Sequence, residues 1–275
     1  MHGPDILVRT LSTPAPMGQS RAEWQYHPRS DRHSKIACWG ILFDLLRQSS
    51  VLARQVQEGK VAFGINHEMK DFRLNRKKNL DLVLCTPRAT SDDAPAPTVP
   101  SFRALAGRYG IELTEAEKKV LLGLPDIPAA PVGAVLVALE AKACMTEHIK
   151  ARPRLYDELN SSHLTIHGNA DKAIAVGFVM VNLAEDFVSP TAKKPTKHKQ
   201  PGVTERVIEK MKELPRRSST QQDGFDALSI VVVKCQNDGS PVTLVKDGPA
   251  PEAGDIFNYE MMIQRLADLY EARQK

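Results

Sequence analysis

Apolar runs broken by single charges alternate along this chain with amphipathic stretches, a pattern that predicts strands and helices in turn. The most apolar run is Val135-Leu136-Val137-Ala138-Leu139-Glu140-Ala141-Lys142, which predicts a strand inside a sheet. Lys78-Asn79-Leu80-Asp81-Leu82-Val83-Leu84-Cys85 predicts a second, with Met69 to Leu74 as its hairpin partner across Asn75-Arg76-Lys77. Residues 172–183 and 229–235 read as further buried strands. The latter turns at Asn237-Asp238-Gly239 into a return strand, Val242 to Val245. Ile6-Leu7-Val8 predicts a short strand within an N-terminal arm, residues 1–32.

Helices are predicted between these runs. Lys35 to Leu46 is apolar nearly all round, the mark of a buried helix. Thr114 and Glu117 form a capping box ahead of a helix reaching Leu122. Pro153 suits the first turn of a helix over 153–160, and another spans 203–214. The last runs from about Asp255 to Arg273, with Ile256, Tyr259, Ile263, Leu266 and Tyr270 on one stripe. A strand, a helix and a strand over 135–183 imply a right-handed crossover and a parallel pair. The prediction is an α/β fold in a single domain, 1–275. Residues 87–131, bounded by prolines, read as a subdomain inserted between two core strands, and 189–222 as a basic linker followed by a helix.

The charges inside the strands carry the chemistry. Glu140 and Lys142 are two residues apart, so a strand points them to one face. Desolvating a charge costs several kcal/mol unless something compensates it, and a metal ion and a phosphate would compensate both. The bland alternative is an ordinary salt bridge at a sheet edge. Asp81 adds an acid from a neighbouring strand. In Asp81 and Glu140-Ala141-Lys142 the chain resembles the PD-(D/E)xK nuclease superfamily. The resemblance spans roughly residues 33–185. It departs from the family pattern in lacking a proline before the acid, and the long interval from Asp81 to Glu140 implies an insertion.

The resemblance implies a restriction-endonuclease-like fold, a mixed central sheet flanked by helices. It implies Mg²⁺-dependent cleavage of phosphodiesters in double-stranded DNA, the task of a restriction or anti-phage defence enzyme, with Asp81, Glu140 and Lys142 catalytic and Asp81 and Glu140 binding the metal. Asp44, the one acid inside the first predicted buried helix, is a candidate accessory ligand. Hard carboxylate oxygens, retained waters and a substrate phosphate are what Mg²⁺ prefers. A protein of another class, an inactive DNA-binding or scaffold protein of the same fold, would keep the sheet and dispense with the chemistry. The residues leave open whether a DNA sequence or a nucleotide messenger licenses cleavage. Cutting both strands calls for two sites, so a homodimer or higher homo-oligomer is expected.

Composition narrows the picture modestly. The net charge of +4 over 275 residues permits nucleic-acid binding without requiring it. Locally the charge is greater: between Lys193 and Arg217 stand nine Lys or Arg and three Glu. Lys193, Lys194, Lys197 and Lys199 are therefore candidate DNA phosphate contacts. Cys38, Cys85, Cys144 and Cys235 have no C-x-x-C spacing and read as buried thiols of a reducing cytoplasm. His163 and His167 lack partners for a zinc site. No apolar run reaches the ~20 residues that span a bilayer, and the first residues lack a secretion signal.

Overall fold

A computed structural model describes residues 1–18, 21–89, 99–192 and 195–274. The architecture is α/β, built on a six-stranded mixed sheet. Its strands are β3 (Ala62–Asp71), β4 (Arg76–Pro87), β5 (Val132–Cys144), β6 (Ile174–Asn182), β9 (Ala227–Lys234) and β10 (Thr243–Val245), in the spatial order β10-β9-β6-β5-β4-β3. β3, β4 and β5 form an antiparallel meander, β5, β6 and β9 are parallel, and β10 is antiparallel to β9. β6, in the middle, is buried along its whole length, as a strand covered on both faces must be. Two short pairs lie outside the sheet: β1 (Ala15–Met17) with β2 (Ala22–Trp24), and β7 (Asp186–Val188) with β8 (Pro195–Lys197).

Two apolar cores cover the faces. The larger holds α1 (Gly3–Ser12), α2 (Arg32–Gln48), α3 (Ser50–Gln57), α4 (Phe102–Tyr109) and α8 (Tyr259–Arg273). The smaller holds α6 (His148–Asn169) and α7 (Gly202–Lys212). The α2 helix is central: Trp39 stacks on Phe43 at 5.3 Å and on Phe102 at 4.9 Å. Gly40 lets α1 cross closely, since a Cβ there would come within 2.9 Å of the Gly3 Cα. Among the described residues, no single helix is long and apolar enough to cross a membrane.

Several predicted elements differ. Ile6-Leu7-Val8 lies in α1, not in a strand. Three adjacent apolar residues do not distinguish the two, and Pro4 suits a helix's first turn. The helix is fixed by a distant partner: the Asp44 carboxylate accepts from the backbone N–H of His2 (2.9 Å) and Gly3 (2.7 Å). The α6 helix begins at His148, so Pro153 is inside it. The hydrogen bond this forfeits would have gone to the carbonyl of Ile149, whose residue is exposed. Phe72 and Leu74 belong to the turn between β3 and β4, not to a strand. Ile256 is exposed ahead of α8 and leaves the stripe to Tyr259, Ile263, Leu266 and Tyr270.

The described part of 87–131 shares the main core. Phe102, Leu105 and Ile127 are buried in it, and Trp39 donates to the Phe102 carbonyl. The capping box of Thr114 and Glu117 forms at the start of α5 (Glu115–Gly123), and Arg9 of α1 binds Glu117 at 2.6 Å. The described part of 189–222 is tied down as well. It contributes β8 and α7, and its Arg217 is buried against Asp226 at 2.9 Å.

Asp44→Ala removes the acceptor for two N-terminal N–H groups and for the Tyr259 hydroxyl. It is expected to lower unfolding free energy by about 2–3 kcal/mol in urea denaturation with an unchanged m-value. Asp44→Asn keeps one acceptor oxygen and is expected to lose less.

Candidate active site

The site forms where two strands part. The β4–β5 ladder runs from Pro87–Val132 to Leu82–Leu139 and stops there. Beyond that point β4 stays with β3, and β5 stays with β6. Asp81 and Glu140 are the first residues past the last rung. Asp81 Oδ2 accepts from the Ala141 N–H at 2.9 Å, so a side-chain oxygen takes over where the ladder ends. Val137, Leu139 and Ala141 fill the larger core. Alternation therefore sends Glu140 and Lys142 to the face covered by α6. Lys142 Nζ meets Glu140 Oε1 at 2.7 Å.

That contact alone is what a structural ion pair would give. The other oxygen separates the two readings: Glu140 Oε2 is buried and has no hydrogen-bond partner. Five acids are buried among the described residues: Asp44, Asp71, Glu117, Glu140 and Asp226. Asp44 binds two backbone N–H groups, Arg47 and the Tyr259 hydroxyl. Asp71 binds the N–H groups of Arg73 and Leu74 and the Arg76 guanidinium. Glu117 binds Arg9 and the Thr114 N–H. Asp226 binds Arg217, Arg273 and the Ala175 N–H. Each of these four occupies both oxygens; Glu140 does not.

The electrostatics follow this difference. Burial raises the Glu140 pKa; the Lys142 ammonium opposes the shift, while Asp81 adds to it. Burial also raises Asp81, against the Ala141 N–H, Lys142 and the Ser34 hydroxyl. Lys142 is held above its ordinary value, because Glu140 and Asp81 outweigh its own burial. Asp71 and Glu117, buried but fully bonded, are instead lowered. Two carboxylates that resist ionisation beside one ammonium form a site short of positive charge.

Asp81 and Lys142 line a cleft of about 890 Å³, bounded by residues between Tyr26 and Ser34, the first half of α6, residues 189–192 and Thr196. His33 stands at its lip, pushed down to about 4 by burial and by Lys142. Lys78, also on β4, donates to the Glu158 carbonyl (2.6 Å) and the Ser162 hydroxyl (3.0 Å), and its charge acts on Glu140. Cys38 lies beneath the site; burial and the two carboxylates keep it a thiol.

The structure thus brings Asp81, Glu140 and Lys142 together. It does not bring in Asp44, whose oxygens are committed to α1, Arg47 and α8. This corrects the expectation of an accessory ligand. Lys197 and Lys199 are exposed beside the cleft; Lys193 and Lys194 lie outside the described residues. His148, just past Lys142, is buried and bonded to the Asn182 carbonyl, while Glu147 is exposed at the cleft. Ser34, Lys78 and His33 were not singled out for the site from the sequence; a lysine three residues before Asp81 in the same strand was the one available signal. No group of three or more His, Cys, Asp or Glu among the described residues is arranged for a metal ion. No family model matches the chain, and neither a curated protein nor a solved structure does.

The raised carboxylates have a consequence for stability. Ordinary values are 3.8 for Asp81 and 4.5 for Glu140. The folded chain keeps these protons where the unfolded chain releases them, so the stability they contribute is full below those values and is lost as pH rises through the folded ones. Glu140→Gln cannot ionise. Its melting temperature relative to wild type should therefore rise as pH increases above 4.5 and level off once Glu140 is ionised in the folded chain, measured without divalent metal. A flat difference would show that Glu140 titrates normally.

Proposed function

We propose that this chain is a Mg²⁺-dependent endonuclease of double-stranded DNA with a restriction-endonuclease-like fold, acting in restriction or anti-phage defence. The observation that carries the reading is Glu140: a buried carboxylate with one oxygen on Lys142 and the other bare, next to Asp81 at the head of a cleft. A mixed sheet flanked by helices, with a parallel pair following the Glu-x-Lys strand, supports the fold assignment.

The donor set suits the ion. Asp81 and Glu140 would hold Mg²⁺ through hard oxygens, leaving positions for waters and a substrate phosphate. Two carboxylates suffice for an ion of that kind, so the absence of a three-ligand cluster among the described residues fits. When bound, Mg²⁺ lowers the pKa of water and draws charge off phosphorus. The chain's own groups do the rest. Glu140 fixes the Lys142 ammonium where it neutralises charge building on the phosphoryl oxygens. The bond from Ala141 N–H fixes the orientation of Asp81. His33 stays neutral near pH 7 and offers an acceptor at the lip. Lys197 and Lys199 present mobile charges to flanking phosphates. A homodimer or higher assembly supplies the second site needed to cut both strands, and four buried thiols suit a reducing cytoplasm.

Wild-type protein is expected to cleave plasmid DNA with Mg²⁺ and not with EDTA. Glu140→Gln and Asp81→Asn should each lose at least ~100-fold in rate while keeping the wild-type circular dichroism spectrum. Asp44→Asn, assayed where it is folded, should retain activity. A wild-type protein that binds plasmid and never cuts it would leave the inactive DNA-binding or scaffold reading. Replacing Lys197 and Lys199 with Ala should lower the slope of log affinity against log salt by about 1.8, with the cut positions unchanged.

A further inference from the structure

The turn joining β3 to β4 exposes two large apolar side chains within three residues. Phe72 is 70% and Leu74 62% exposed, at the tip of an edge hairpin. Large apolar side chains in a loose loop would fold back onto the protein; here the backbone prevents it. The carboxylate of Asp71, wholly buried, accepts from the N–H groups of Arg73 (2.9 Å) and Leu74 (3.2 Å). The Phe72 N–H donates to the Gly168 carbonyl at 3.3 Å, and Asn169 Nδ2 to the Lys70 carbonyl at 3.0 Å. Gly168 at the end of α6 lets Asp71 pack this close, since a Cβ there would meet its carboxylate. With the N–H groups turned inward, the two apolar side chains are held outward.

Cations surround them. The Lys70 ammonium sits 6.0 Å from the centre of the Phe72 ring, and Arg73, Arg76 and Lys77 follow within the turn and the next strand. The nearby acids are engaged: Asp71 with Arg76 and the turn, Glu68 with Lys77, and Asp223 with Arg73. Four cations against three acids leave the tip an excess of one positive charge, which a second copy of this chain docked on a twofold axis would set against itself. A polyanion with apolar planar groups suits them better.

We infer that this hairpin tip contacts nucleic acid, with Phe72 and Leu74 against bases and Lys70 and Arg73 against phosphates. The ligand's identity rests on the DNA-cleaving reading. Apolar wedges flanked by basic residues enter base steps in this way, and aromatic rings stack on bases irrespective of sequence. The spacing agrees. Asp81 is five residues from Arg76 along β4, about 16 Å, a run of roughly five nucleotides, a span that one duplex covers.

The test measures binding of a short DNA duplex in the non-cleaving Glu140→Gln background. Adding Phe72→Ala and Leu74→Ala should weaken affinity about tenfold or more and leave the salt slope unchanged, because the lost contacts are apolar. Phe72→Trp should keep the affinity, and its fluorescence should be quenched on adding DNA. Lys70→Ala and Arg73→Ala should each lower the salt slope by about 0.9. Unaltered affinity in the double variant overturns the inference. So does a double variant that loses self-association, or binding to phosphatidylserine vesicles, while keeping its DNA affinity. A parent that binds no duplex overturns it too. If the parent binds and the hairpin variants behave as stated, yet wild type never cuts, the nuclease reading falls and the hairpin contact stands. If wild type cuts and the hairpin variants bind normally, the reverse holds.

Discussion

A buried carboxylate must be matched by donors or cations, and this chain's architecture turns on one that is matched by half. Four of its five buried acids anchor structure: one caps a helix, one ties a turn, one joins two helices, and one is gripped by two arginines. Glu140 reaches a single ammonium and leaves an oxygen bare. Breaking a buried pair is costly, whereas replacing it with packed apolar residues is often neutral or favourable. A strand as apolar as β5 could have ended in valine. Packing gives no reason for its ionisable end; a ligand that brought positive charge would.

The parting of β4 from β5 generates the surroundings of that carboxylate. Past Leu82–Leu139 the sheet forks, and one arm leans on α6 through the Lys78 bonds to Glu158 and Ser162. The other arm carries Glu140 and Lys142 toward the start of α6. The fork leaves the Ala141 N–H without a rung on β4, and Asp81 takes it. The same event therefore orients the first acid, leaves the second buried behind it without a rung to β4, and opens the cleft. It also frees the β3–β4 hairpin to run on beyond the sheet to its clamped tip.

Much of the fold was legible because strand burial writes itself into contiguous residues. The runs around Asp81, Glu140, Ile174 and Ile230 all became strands, and the parallel pair followed from the helix between two of them. Glu140 and Lys142 could be placed on one face from their two-residue spacing alone. Features that depend on distant partners were not legible. Asp44 looked like a candidate ligand because its commitments lie 41 and 215 residues away. Ile6-Leu7-Val8 looked like a strand because the cap that makes it a helix comes from α2. Arg217 counted toward a basic surface, although Asp226 holds it in the interior.

The acids illustrate how far spacing carries an argument and where geometry must take over. In sequence, Asp44, Asp71, Asp81 and Glu140 are alike: single acids within or beside apolar stretches. Chain position cannot rank them, since each could serve a metal or a backbone. Counting the donors that reach each oxygen does rank them. It shows Asp44 and Asp71 to be fully supplied and leaves Glu140, with Asp81 beside it, as the acid short of a partner. The same count gives Asp71 a different importance: its two oxygens are used up in pinning a turn whose apolar side chains then have nowhere to go but outward. One acid left short of partners and another fully supplied thus account for the cleft's appetite for positive charge and the hairpin's fixed, exposed tip.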